Sequence, residues 1–122
     1  IQNIVTDNGH PLYLDIVHKS FNWSSPSNTM FVVGATRPLE LSLIRKSAPH
    51  HFFLVPGIGA QGGDLETVCK HAFNESCGLL INMSRSILYA NKSKIFYDYS
   101  RQVCLDIQKK MELVLIERNF IN

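Results

Sequence analysis

Strand, turn and helix signals alternate three times along this chain, and that order narrows the fold more than any other property. The strand signals are short apolar runs, Met30 to Val33, His51 to Val55 and Gly78 to Ile81. The first two lead into apolar residues spaced three and four apart, the period of a helix that buries one side. Such an order predicts an α/β fold with a parallel sheet. Met30 to Val33 suits a strand buried on both faces, and Gly34-Ala35-Thr36 after it is small enough to line a pocket without filling it. Before that strand, Leu12 to Trp23 sets Tyr13, Ile16, Val17 and Phe21 along one side of a helix, with Trp23 packing at its end. Thr36 and Pro38 mark the next helix start, a capping hydroxyl followed by a proline whose missing N–H does no harm. That helix should run to about Ser47. Asp64 to Phe73 predicts another, with Leu65, Val68, Cys69 and Ala72 inward. From about Lys92 to Arg118, the residues Phe96, Tyr99, Val103, Ile107, Met111 and Val114 predict one long helix over the outside.

The turn after the second strand, Val55-Pro56-Gly57-Ile58-Gly59-Ala60-Gln61-Gly62-Gly63-Asp64, holds four glycines and one amide side chain. Without Cβ atoms the backbone can bring N–H groups against a ligand, and the following helix aims its positive end at the same place. A phosphate is the natural guest. The plainer reading is a tight turn with Asp64 as helix cap. The third strand runs into Asn82-Met83-Ser84-Arg85-Ser86-Ile87. In a barrel of parallel strands all C-terminal strand ends share one face, so Gln61 and Arg85 are expected to meet there. Arg85 offers a planar, permanently charged fork that matches phosphate oxygens, and the Ser84 to Ser86 backbone adds donors. A solvated surface arginine is the ordinary alternative.

Val33-Gly34-Ala35-Thr36, then Pro56-Gly57-Ile58-Gly59-Ala60-Gln61-Gly62-Gly63-Asp64, then Leu80-Ile81-Asn82-Met83-Ser84-Arg85-Ser86-Ile87 resemble, in order and spacing, the C-terminal half of orotidine 5′-phosphate decarboxylases. The likeness is greatest to the bacterial type 2 subfamily and covers about residues 10 to 118. It implies a partial TIM (β/α)8 barrel, about the last three βα units plus a preceding helix, with the whole of residues 1–122 being the C-terminal part of a single barrel domain. By matching positions, the Gln61 side chain and the Arg85 guanidinium would hold the phosphate. The Gly59, Gly62 and Ser84 neighbourhoods would add backbone donors, and Pro56 would pack near the pyrimidine. Ser84 stands where other branches of the family often carry glycine.

The resemblance also implies what to look for and not find. The family's catalytic centre is an Asp-x-Lys-x-x-Asp segment, and no such spacing occurs in these residues. No catalytic residue is therefore assigned, and the chain is expected to be inactive alone, its partner being the N-terminal half of the barrel. The complete enzyme would convert orotidine 5′-monophosphate to UMP and CO2 without metal or organic cofactor, and would be a homodimer. Length agrees, since a whole barrel takes about 250 residues and this chain has 122. A non-catalytic phosphate-binding module, or another phosphate-binding barrel enzyme, is the competing reading.

With 45% hydrophobic and 18% charged residues and a net charge of +2, nothing attracts the chain to nucleic acid or to a membrane. It carries no signal peptide and no apolar run long enough for a membrane helix, which predicts a cytoplasmic protein. The four Asn-x-Ser matches, at Asn22, Asn74, Asn82 and Asn91, are then chance. Cys69, Cys77 and Cys104 form no C-x-x-C pair and have no histidine at ligand spacing, so they read as buried or half-buried thiols and no metal site is assigned. His50 and His51 fall at a strand entrance, the barrel face opposite the chemistry, while His10, His18 and His71 read as surface or helix-face residues. Lys92, Lys94, Lys109 and Lys110 read as a solvated face.

Overall fold

Short apolar runs with glycine-rich ends leave no room for long strands, and the computed structural model, which describes residues 4–59, 61–93 and 95–122, contains three brief ones. They are β1 (Met30–Val32), β2 (Phe52–Pro56) and β3 (Leu79–Asn82), joined in parallel in the order β1-β2-β3. Phe31 pairs with Phe53, and Val55 with Ile81. Helix α1 (Leu12–Ser20) precedes β1, α2 (Pro38–Ser47) and α3 (Leu65–Ala72) make the crossovers, and a single turn α4 (Arg85–Leu88) leads into α5 (Phe96–Glu117). This is an α/β arrangement.

Strand parity sorts the core. Phe53 and Val55 are fully buried against the helices with Val33, Leu41 and Val68, and Leu79 joins them. The alternate positions point the other way and stay uncovered: Val32 is 68% exposed and Leu80 45%. The expectation of a β1 buried on both faces is thus corrected. Helices lie against one face only, because the other faces what would be the inside of a barrel, and three strands cannot close around it. Leu65, Val68, Cys69 and Ala72 are all buried as their spacing predicts.

Several local expectations change. Thr36 does not cap α2; Arg37 takes that position with no side-chain capping bond to the helix backbone, since Pro38 at the first helical position fixes the boundary one residue later. Ile16 and Trp23 are 54% and 71% exposed, so neither packs inward, and α1 ends at Ser20 before reaching Trp23. The last helix begins at Phe96, with Phe96 and Tyr99 largely exposed; Ile107, Met111 and Val114 make its contact with the core. Cys104 is exposed, whereas Cys69 is buried and burial raises its thiol to about 11. Lys92, Lys109 and Lys110 are solvated as expected, and Lys94 lies outside the described residues.

At the N-terminal end of the sheet, Arg45 of α2 is 8% exposed and lies 3.7 Å above the Phe53 ring. It donates to the carbonyls of Ala72 (2.7 Å), Ala48 (2.9 Å), His51 (2.7 Å) and Gly78 (3.0 Å). One planar fork ties the ends of α2 and α3 to the starts of β2 and β3. His51 is buried beside it, stacked on Phe21 at 5.2 Å, with neither ring nitrogen hydrogen-bonded among the described residues.

Candidate functional site

The glycine turn after β2 is closed by its own backbone. Gly63 N–H donates to Gly57 O, Gly59 N–H to Gly63 O and Gly62 N–H to Gly59 O, at 2.8 to 3.0 Å. Gly57, Gly59 and Gly62 all have positive φ, which the tight reversal requires. Gly63 meets a different demand. A Cβ there would stand 2.5 Å from Ala35 Cβ and 2.6 Å from Gly57 O, so its absence lets the turn press against the end of β1.

The same turn reaches across to the segment after β3. A Cβ on Gly59 would meet Ser86 Oγ at 3.1 Å and Met83 Cε at 3.3 Å. Between the two segments lies a cavity of about 140 Å3 lined by Pro56, Gly57, Ile58, Gln61 and the run Asn82 to Ser86. Whole drug-sized ligands need about 300 Å3 or more; this space suits one end of a molecule. Gln61 and Arg85, 24 positions apart in the sequence, line it together. The ion pairs among the described residues are His10 with Asp15 and Arg37 with Glu40, which leaves the Arg85 guanidinium without a carboxylate partner there. Ser84 donates from its hydroxyl to Asn82 Oδ1 at 3.0 Å, bracing the turn that carries Arg85.

Of the six residues expected to bind substrate, Pro56, Gln61, Ser84 and Arg85 line this cavity, while Gly59 and Gly62 do not. The N–H groups of those two glycines are already engaged inside the turn, so they shape the site and are not free donors. The helix whose positive end was expected there, α3, is also otherwise occupied. Asp64 caps it by accepting from Thr67 N–H at 2.8 Å, a bond that holds its carboxyl below the usual range. Ser86 was expected to contribute only its backbone; Asn82 and Met83 were given no role from sequence, although Asn82, a polar residue two places after Leu80, is the sign of a strand end facing a pocket.

A larger cavity of about 250 Å3 runs beside the open edge of β1, lined by Tyr13, Val32, Val33, Arg37 and Glu40 among others. Its charges satisfy each other, Arg37 donating to Glu40 at 2.6 Å, so it offers an anion no unpaired cation.

Comparison with known proteins fits this geometry. The orotidine 5′-phosphate decarboxylase of Phocaeicola vulgatus is 46% identical over 110 residues, 90% of this chain and 40% of the relative. That of Parabacteroides distasonis is 43% identical over 114 residues, 93% of this chain and 41% of the relative. This chain is related to the orotidine 5′-phosphate decarboxylases over nearly its whole length. The solved structure of Leishmania donovani OMP decarboxylase superposes with a TM-score of 0.66 at 30% identity, covering 88% of this chain and 41% of that one. Leishmania donovani UMP synthase gives 0.68 at 33%, covering 88% and 23%. No family model matches the chain. The three βα units superpose on part of these two solved structures, and the chain spans about 40% of the length of the curated relatives it matches. Among the described residues no helix is long and apolar enough to cross a membrane.

Proposed function

We propose that the cavity between Pro56 and Ser86 binds the phosphate of orotidine 5′-monophosphate, and that the chain is the C-terminal part of a decarboxylase releasing CO2 to leave UMP. The observation that carries this reading is the meeting of Gln61 and Arg85 on one small cavity at the C-terminal end of the strands. The guanidinium supplies charge and two parallel donors, and the amide supplies a neutral donor on the opposite wall. Pro56, on the face of β2 that the helices leave uncovered, would pack near the pyrimidine. The phosphate is remote from the bond that breaks, so its binding energy contributes by fixing the nucleotide's geometry at the reacting carbon. Proton transfer falls to an acidic and lysine segment that these 122 residues do not contain. The reaction is proposed to need no metal or organic cofactor, in a homodimeric, cytoplasmic enzyme.

The chain alone is expected not to decarboxylate orotidine 5′-monophosphate, and to do so when the N-terminal part of a related barrel is supplied. Turnover by the chain alone refutes the division of labour. In the assembled enzyme, Arg85→Ala removes charge-assisted hydrogen bonds of about 1.5–3 kcal/mol each, so UMP binding weakens at least tenfold while uridine binding changes little. Equal loss for both ligands refutes a phosphate role for Arg85.

A further inference from the structure

A second constellation lies elsewhere. The loop before α1 is held by a set of backbone bonds: Thr6 N–H donates to His10 O at 2.8 Å, Gly9 N–H to Thr6 O at 2.8 Å and Leu12 N–H to Ile4 O at 2.9 Å. The Thr6 hydroxyl adds a further bond to His10 O at 3.1 Å. This fold of the loop turns the His10 side chain back along α1, where Asp15 and His18 stand one helical turn apart. His10 Nδ1 is 3.7 Å from Asp15 Oδ1. The His10 and His18 rings are 6.5 Å apart at 71°. One ligand atom from each of the three residues lies within 4.8 Å of the other two.

We propose that His10, Asp15 and His18 bind one divalent transition-metal ion of the zinc, cobalt or nickel kind, fastening the loop to α1. Two imidazoles and a carboxylate are the donor set such ions prefer, and Mg2+ or Ca2+, which favour oxygen alone, are poor occupants. Metal–ligand bonds of about 2.0–2.2 Å place donors a little over 3 Å apart, so the side chains close by rotamer adjustment without moving the backbone. His10 and His18 are exposed, so water completes the coordination. The ring of His18 lies against Phe21, which stacks on His51 at the start of β2. Through His18 the cluster is thus linked to the aromatic packing before β2. Sequence spacing hides the cluster, because His10 joins the helix pair only through the fold of its loop.

Zinc titrated calorimetrically into the chain, in a Cys104→Ser background that removes the exposed thiol, should bind at one ion per chain and raise the melting temperature. His10→Ala and His18→Ala should each weaken binding by ~10-fold or more, the loss seen even for outer-shell residues of metal sites, and abolish the thermal shift. His50→Ala should alter neither readout, and Mg2+ should produce neither. Absence of one-to-one binding in the parent, or zinc affinity that survives both His10→Ala and His18→Ala, overturns the assignment.

Discussion

Replacing Arg45 by methionine tests how the sheet end opposite the Gln61–Arg85 cavity is held. Methionine keeps the length and the contact with the Phe53 ring but removes every donor. The carbonyls of Ala72, Ala48, His51 and Gly78 then lose the hydrogen bonds of 2.7 to 3.0 Å that the guanidinium makes to them. A bond to a charged donor contributes about 1.5–3 kcal/mol, so four would suggest a very large loss. Against this stands the cost of burying the cation, which burial itself reveals by pulling the Arg45 pKa down to about 10. That is still far above neutral, so the group enters the interior charged. A buried carbonyl left unsatisfied costs about 1–3 kcal/mol, and relief of the cation's burial offsets part of the sum over four, leaving a net loss of about 3 kcal/mol. Total stabilities are about 5–15 kcal/mol, and urea slopes for small domains about 1–3 kcal/mol per molar. The midpoint of urea unfolding, followed by circular dichroism, should therefore fall by about 1 M or more. Arg45→Lys, with charge but no fork, should lie between parent and methionine variant. A methionine variant within about 1 kcal/mol of the parent would show that the carbonyls find other partners and that the fork is dispensable.

Gly63→Ala should destabilise the chain by about 1–3 kcal/mol, as overpacking does, because the new methyl meets Ala35 Cβ and Gly57 O at 2.5 and 2.6 Å; an unchanged thermal midpoint would contradict the close approach. His51 is held below its ordinary pKa by burial first, then by the charges of Arg45 and His50. Below about pH 6.5 the unfolded chain takes up a proton here that the folded chain refuses, so stability falls as pH drops, until the folded ring protonates too. One proton sets a limit of about 1.4 kcal/mol per pH unit. His51→Phe should flatten the stability profile between pH 7 and 5 relative to the parent, and parallel profiles would refute this.

The alternation of strands and helices was readable because apolar period and glycine punctuation agree in each unit, and the meeting of Gln61 and Arg85 on one cavity was readable because the two side chains follow two such strands. What stayed hidden depends on distance in sequence. Arg45 looks like any basic residue in the last turn of a helix; only the convergence of four carbonyls, one at the end of its own helix and three from other segments, makes it a core residue. The glycine turn shows the limit from the other side. Its composition announces an anion cradle, yet Gly59 and Gly62 direct their N–H groups into the turn itself, and composition cannot say which way an amide points. Exposure of Val32 and Leu80 was likewise invisible, since a run of apolar residues looks the same whether one face is covered or two.

The sheet stops at β1 and β3, each with one side unpaired among the described residues. A peptide ladder left open in this way is a template, and whatever segment docks on it adds main-chain bonds as well as apolar contact. How firmly these strands hold is then set by supply as well as by composition: folding becomes linked to the amount of complementary chain at hand, and dilution weakens it by mass action.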